Sequence, residues 1–370
     1  MAGWKKVKLG DILTAVDYGT AAKSDVTGKY PVLRMGNLEN GYLVWDDLVY
    51  TSSEEEYAKY ELKKGDILFN RTNSRDKVGK TSIYRGERPS IFAGYLIRLK
   101  VNNECDPYYV NYCMNSKRFA EFCKSVRTDA VGQSNINAQV LQTYDFSLPP
   151  LEEQKKIAAT LSVWDSAIEK MEKLIEAKEK EFNIVLKQNL LEKGIALKWK
   201  AIPLTEIIKS VTPPSKIHQD SYLNRGKYPI VDQSKDLIAG WTNDESSVLK
   251  TKRPLIIFGD HTCALKIMHM PFAQGADGIK ILSAKDGYDP TYIYYAIKAN
   301  PVIPEGYKRH FSALMLKSIL CPSLEEQKKY AVYFKSLDEE ISLLKQQLEN
   351  YKKQKQGLMQ KLLTGQWRVK

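Results

Sequence analysis

Apolar positions along the 370-residue chain follow two kinds of pattern. In two long polar stretches they recur at alternating three- and four-residue steps. After Leu151 the stripe runs Leu161, Trp164, Ile168, Met171, Ile175, Phe182 and Val185, with Lys178 interrupting. After Leu324 it runs Phe334, Leu337, Ile341, Leu344, Leu348, Tyr351, Leu358 and Leu362, with Lys355 interrupting. This a/d spacing predicts helices with a single apolar seam. Neither stretch meets Pro or Gly before Gly194 and Gly357, so each can be a helix of about forty residues, roughly 60 Å long. A seam that long needs a partner, and the other copy supplies one. Antiparallel packing puts a globular block at each end of the rod. Parallel packing is the alternative, disfavoured because the chain direction must reverse through the block between the helices.

Outside these stretches the pattern is shorter. Runs such as "GDILFN" and "RPLIIF" alternate with turn clusters such as "NLENG" and "AKDGYDP", which predicts mixed sheets with few helices. "DPYYVNYCMNSKRFAEFCKSV" is the clearest helix inside a block, opening on an Asp-Pro start signal. The expected fold class is therefore α+β. Two globular mixed α/β blocks, 1–150 and 196–323, alternate with two long helices, 151–195 and 324–370, packed as an antiparallel coiled coil.

The halves are also written twice, which makes the expected fold a pseudo-twofold repeat. LEEQKK occupies 151–156 and again 324–329, each time after a proline-bearing edge, "SLPP" or "LCPS". "WKKVKLGDIL" from Trp4 resembles "WKAIPLTEII" from Trp199, "GKYPVL" from Gly28 matches "GKYPIV" from Gly226, and "DPYYVNYCM" from Asp106 matches "DPTYIYYAI" from Asp289. The offset between copies shrinks from 226 − 28 = 198 through 289 − 106 = 183 to 324 − 151 = 173. The second block has thus lost residues in its interior while keeping its end motifs.

Composition removes several classes. No run of eighteen apolar residues exists and "MAGWKKVKLGDI" has no apolar signal core, so neither a membrane span nor secretion is expected, and the cytoplasm is the default location. Cys105, Cys113, Cys123, Cys263 and Cys321 form no CxxC pair, which argues against a disulfide framework or zinc site and for reduced thiols. The net charge of +12 invites a polyanion. It is spread as +3, +1, +4 and +4 over 1–150, 151–200, 201–323 and 324–370, so by itself it fits a solvated basic surface equally well.

Enzyme motifs fail one by one. "VGKTS" at 78–82 ends like a phosphate-binding loop, but Ser74 stands where the first glycine is required. "DPYY" at Asp106 lacks the second proline of the base-holding motif of amino-methyltransferases, and helix initiation explains both it and its repeat "DPTY". His218, His261, His269 and His310 show no paired-ligand spacing, and Asp260-His261 has no evident nucleophile.

The proline-edged LEEQKK, the following "IAATLSVWDSAIEKMEKLI", the closing "GLMQKLLTGQWRV", and in the first half "GDILFNRTN" and "GQSNINAQVLQTYDFSLPPLEEQ" resemble the specificity subunit of type I restriction-modification systems. The likeness spans the whole chain in layout and is densest at the helices. It implies two target recognition domains, 1–150 and 196–323, and two conserved spacer helices, 151–195 and 324–370. It implies a subunit that is not an enzyme: it reads a split sequence on double-stranded DNA and positions two methyltransferase (modification) subunits, with restriction (translocase and nuclease) subunits joining them. No cofactor would be bound by this chain; S-adenosylmethionine would sit in the modification subunits, ATP and magnesium in the restriction subunits. A coiled-coil adaptor with protein-binding heads and a self-sufficient enzyme are the rival readings.

Base readout needs long donors and amides on loops. The best such loop is "NRTNSRDKVGK", with Asn70, Arg71, Thr72, Asn73, Ser74, Arg75, Lys77 and Lys80 directly after a strand. "RTDAVGQSNINAQ" adds Arg127, Thr128, Gln133, Ser134, Asn135 and Asn137, which a polar turn would explain equally well. In the second block the matching places hold His261, Thr262 and Lys266, then Lys308, Arg309 and His310, while "DQSKD" adds Gln233, Ser234 and Lys235.

Overall fold

A computed structural model describes residues 3–130, 132–276, 278–306 and 308–369. It divides into two compact units, Met1–Lys170 with Leu348–Lys370, and Met171–Gln347. The fold is α+β, and the two units follow one plan.

In the first unit a four-stranded antiparallel sheet has the order Leu13–Tyr18, Leu96–Val101, Ile67–Asn70, Thr81–Ile83. "ILFN" is a continuous apolar run because this strand is covered on both sides: Ile67 and Phe69 join one core cluster, Leu68 the other. The second unit repeats the order with Ile208–Val211, Ile279–Ala284, Leu255–Gly259 and Leu265–Met268. There Ile256 and Phe258 face one core cluster, Leu255 and Ile257 the other. The duplicated Trp-Lys edges are strands too: Lys5–Lys8 pairs antiparallel with Asp145–Leu148, and Lys200–Pro203 with Ser318–Cys321.

Each Asp-Pro signal starts a helix, Pro107–Cys113 or Pro290–Ala299, and the aspartate caps it. The Asp106 carboxylate accepts the Tyr109 N–H and the Asp289 carboxylate the Tyr292 N–H, both at 2.9 Å. The glutamine of LEEQKK then clamps the cap. Gln154 Oε1 accepts the Asp106 N–H at 2.8 Å while its Nε2 donates to the Pro149 and Glu104 carbonyls. Gln327 accepts the Asp289 N–H at 3.0 Å and donates to the Pro322 carbonyl. Both glutamines are buried.

The long helices span Leu151–Lys187 and Leu324–Leu363. The first continues through a π-helical turn, Gln188–Glu192, into Lys193–Ala196. Gly194 sits where a Cβ would lie 2.8 Å from the Trp199 ring and 3.0 Å from Leu320 Cδ1, so glycine there permits close approach. Within each unit the two helices run antiparallel. In the first, Trp164 meets Tyr351 edge-on at 6.0 Å, Asp165 pairs with Lys355, and Arg368 grips Glu153, which also accepts the Trp4 indole N–H. In the second, Lys178 pairs with Glu340 at 3.2 Å and Phe182 meets Phe334 at 6.4 Å. Leu161, Ile175, Phe182, Phe334, Ile341 and Leu348 are buried; Trp164, Ile168, Met171, Leu337 and Leu344 are half-buried.

Lys355 breaks the apolar pattern for a reason. Asp165 is buried, accepts the Tyr112 hydroxyl at 2.5 Å, and takes its countercharge from Lys355. The second unit keeps the tyrosine and aspartate as Tyr295 and Asp338, and there Lys298 supplies the charge at 3.1 Å.

Cys105, Cys113, Cys123 and Cys321 are buried and unpaired. Burial pushes the Cys105 and Cys321 thiols to about 11 and those of Cys113 and Cys123 to about 12, which leaves them protonated and inert near neutral pH.

Candidate nucleic-acid interface

In the first unit the two polar loops become one structure. Thr128–Ala130, Gln133–Asn135 and Thr72–Asn73 form a three-stranded antiparallel sheet, with Ser134 opposite Asn73 and Asn135 opposite Thr72. The Asn135 amide donates to the Thr72 hydroxyl at 2.7 Å, and the Ile136 N–H donates to the Arg71 carbonyl at 2.9 Å. Segments some sixty residues apart in sequence thus share a single face.

Individual side chains sort by direction. Asn70 is buried and spans the neck of its loop: its amide donates to the Lys77 carbonyl, its N–H to Lys80 and its carbonyl accepts from Gly79. Gly79 has φ +95°, and a Cβ there would meet Cys123 Sγ at 2.9 Å. Ser134 is buried as well and donates to Asp129 at 2.6 Å. Asn70 and Ser134 therefore shape the loops from within. Arg75 and Arg127 share the Asp129 carboxylate, and Lys80 pairs with Glu39. The Ser134 hydroxyl, with Arg75 and Arg127 beside it, holds Asp129 below the usual carboxylate range. Ser74, Lys77 and Gln133 are exposed, Asn73 half-buried. Asn137 caps the short helix Ala138–Leu141 through the Val140 N–H.

The second unit gathers three segments around one buried aspartate. Asp260 Oδ1 accepts the backbone N–H groups of His310 and Phe311 at 3.0 and 2.9 Å, and its carbonyl accepts the His310 N–H at 2.8 Å. His310 is itself buried. Its Nε2 accepts the Glu305 N–H at 3.0 Å, which puts the ring proton on Nδ1, facing the Asp260 carbonyl at 3.1 Å. The Thr262 hydroxyl donates to the Gln233 carbonyl at 2.7 Å, and Lys266 donates to the Asp232 carbonyl at 2.8 Å. Lys266 is buried, which lowers its amine below the ordinary lysine value. Lys266 and His310 thus brace the loops rather than face outward. Lys235, Thr262, Lys308 and Arg309 are exposed; Gln233, Ser234 and His261 are half-buried.

Period-two alternation would have marked Lys266, which shares a face with Met268, as buried, while Asn70 closes a strand covered on both sides and is buried whichever face it takes. Tyr18 and Tyr95 were not legible as surface residues. Both are exposed beside Arg71, and an exposed aromatic at a strand end reads in sequence like core. The "VGKTS" segment is no phosphate loop: Thr81 and Ser82 lie buried in the strand Thr81–Ile83. Among the described residues no group of His, Cys, Asp and Glu is placed to hold a metal ion, and no helix is long and apolar enough to cross a membrane.

Two units on one frame, with unlike polar loop clusters at the ends of matching strands, are the build of a modular recognition protein. The chain belongs to the family of type I restriction-modification specificity subunits. Residues 1–179 match the family described as the type I restriction modification DNA specificity domain. The chain is 31% identical to a Methanocaldococcus jannaschii protein named "Putative type I restriction enzyme MjaX specificity subunit", over 99% of this chain and 94% of that protein. It is 25% identical to the type I restriction enzyme MjaVIII specificity subunit of the same organism, over 99% of this chain and 93% of that one. In fold it is similar to the crystal structure of the type I restriction-modification S subunit from M. genitalium, with a TM-score of 0.63 at 18% identity, covering 97% of this chain and 96% of that one.

Proposed function

We propose that this chain is the sequence-reading subunit of a DNA methylation and restriction complex. It reads a two-part site on duplex DNA, one part through each unit, and contributes no chemistry of its own. The observation that carries this reading is the contrast inside the repeat. Sheet order, capped helix and glutamine clamp are the same in both units, whereas the loop leaving the matching central strand is Arg71-Thr72-Asn73 in one and Asp260-His261-Thr262 in the other. A shared frame with unlike loops suits two related but different recognition tasks.

The partners that fit are two methyltransferase subunits, one for each copy of the repeat, with restriction subunits joining them. S-adenosylmethionine then belongs to the methyltransferase subunits, and ATP and magnesium to the restriction subunits. The test is to map methylated bases genome-wide with and without this gene and to purify the chain with its neighbours. Loss of a two-part methylation motif, with a methyltransferase in the purified complex, is the expected result. Unchanged methylation, or a chain that purifies without a methyltransferase, overturns the reading.

A further inference from the structure

Arg71 is held more firmly than its place in the small sheet requires. Its N–H donates to the Tyr95 carbonyl at 3.2 Å, and its own carbonyl accepts the Ile136 N–H. The guanidinium lies over the Tyr18 ring, 4.8 Å from the centroid. Nε is shut off from water and meets no acceptor. Arg34, Arg75, Arg98, Arg118 and Arg127 of this unit pair with carboxylates, and Arg85 and Arg88 lie over Tyr42 and Trp45, but among the described arginines Arg71 alone has a buried nitrogen without an acceptor. Among the described residues no carboxylate stands within ion-pair distance of Arg71. A buried Nε with no acceptor is a cost that fixes the group against the Tyr18 ring, while the terminal nitrogens, which are not shut off from water, remain for an acceptor that arrives from outside.

The kind of acceptor follows from the restraint. A phosphate contact needs charge and tolerates a mobile side chain. A pinned, planar fork suits two parallel acceptors at a set separation, which in the major groove are O6 and N7 of guanine. The repeat points the same way. In the second unit the carbonyl that accepts the N–H ahead of the short helix Phe311–Met315 belongs to Asp260, so Asp260 stands where Arg71 does. A grip on the DNA backbone common to both units would keep a cation at this position. In the second unit this position holds a buried aspartate spent on its own loop, so no such common grip exists and Arg71 serves the first unit's part of the target alone.

We propose that Arg71 reads a guanine in the part of the target bound by the first unit, with Tyr18 as the positioning residue that fixes the plane of the fork. This rests on the DNA-recognition reading above. The test uses the full chain assembled with its methyltransferase subunits and duplexes in which each guanine of the target is replaced singly by 7-deazaguanine, which lacks the N7 acceptor. One such replacement should weaken the wild-type complex and leave Arg71→Met no weaker than it already is. Arg71→Met and Arg71→Lys should lose about 10- to 100-fold in discrimination at that single position and keep the rest of the motif. Tyr18→Phe should retain the selectivity and Tyr18→Leu should lose it at the same position only. Lys77→Ala, by contrast, should weaken all sequences alike. Should Arg71→Met not fold, Arg71→Lys, which keeps charge and stem, carries the same test. Uniform weakening with an unchanged motif in both Arg71 variants, or indifference of the wild type to every 7-deazaguanine, overturns the assignment alone. A wild-type complex with no sequence preference overturns the DNA-recognition reading and this assignment with it.

Discussion

Gln154→Ala tests whether LEEQKK is a clamp or merely the start of a helix. The side chain is 1% exposed and makes three hydrogen bonds, at 2.8 Å to the Asp106 N–H, 2.8 Å to the Pro149 carbonyl and 3.2 Å to the Glu104 carbonyl. A net contribution of about 1 kcal/mol per bond, less for the longest and more wherever a backbone group is left unpaired out of water, gives a loss of about 2–4 kcal/mol. For a unit of this size 1 kcal/mol moves the melting temperature by about 2–4 °C, so the drop should lie between roughly 4 and 16 °C. Gln327→Ala breaks two bonds, both at 3.0 Å, and should cost about 1.5–3 kcal/mol. Glu152→Ala, on the same helical turn but exposed and bonded to Lys155 at the surface, should leave the melting temperature essentially unchanged.

Calorimetry of the full chain gives the loss, and hydrogen exchange locates it. Protection should fall at Asp106 and along Pro107–Cys113 in Gln154→Ala, and at Asp289 and along Pro290–Ala299 in Gln327→Ala. A Gln154→Ala protein no less stable than Glu152→Ala, or one with unchanged protection at Asp106, would refute the clamp.

The two helical glycines should respond to alanine with opposite signs. Gly194→Ala meets the Trp199 ring and Leu320 and should cost about 1–3 kcal/mol, whereas Gly357→Ala meets nothing within 4 Å and should gain about 0.5–1 kcal/mol, both read by denaturant midpoints. Lys355→Met leaves the buried Asp165 carboxylate without its cation and should cost about 3–5 kcal/mol, most of it recovered in the double variant with Asp165→Asn; a single variant as stable as the double would show that the pair does not matter. Asp129 should titrate below the ordinary value of 3.8 and move up toward it in Ser134→Ala, as followed by carboxylate NMR. Because its folded value lies below its unfolded one, its contribution to the pairing of Thr128–Ala130 with Gln133–Asn135 is present above pH about 3.8 and lost as pH falls through the folded value; a carboxylate that titrates at 3.8 or above would contradict this.

The long helices and capped helix starts were legible because their signals are local: a sustained a/d period and Asp-Pro before an apolar run. The role of Gln154 was not, since a glutamine inside a polar hexamer looks solvated until the Asp106 N–H, 48 residues away, is placed against it. Lys355 likewise reads as a flaw in a stripe unless Asp165 and Tyr112 are known to stand opposite it. The meeting of the Arg71 and Asn135 segments depends on strand order, which no local pattern carries. What misled at Asn70, Lys266 and His310 was residue type: amide, amine and imidazole suggested readout, while geometry set them to bracing loops.

The joint between each block and its long helix shows what the repeat preserves. Tyr112 and Asp165 recur as Tyr295 and Asp338, but the cation comes from Lys355 in the first unit and Lys298 in the second. At the 173-residue offset Lys355 corresponds to Phe182, over which Lys298 lies at 4.8 Å, and at the 183-residue offset Lys298 corresponds to Asn115. A satisfied carboxylate is kept and its source is free to move, which is how a charge requirement behaves when no single residue is required. A first block grafted onto the helices of the second unit therefore arrives without a cation for Asp338, because Asn115 cannot supply one and Phe182 has replaced the lysine. Such a hybrid should melt below either parent, and Asn115→Lys should restore most of the loss; a hybrid as stable as its parents without that substitution would show that the joint does not depend on the charge.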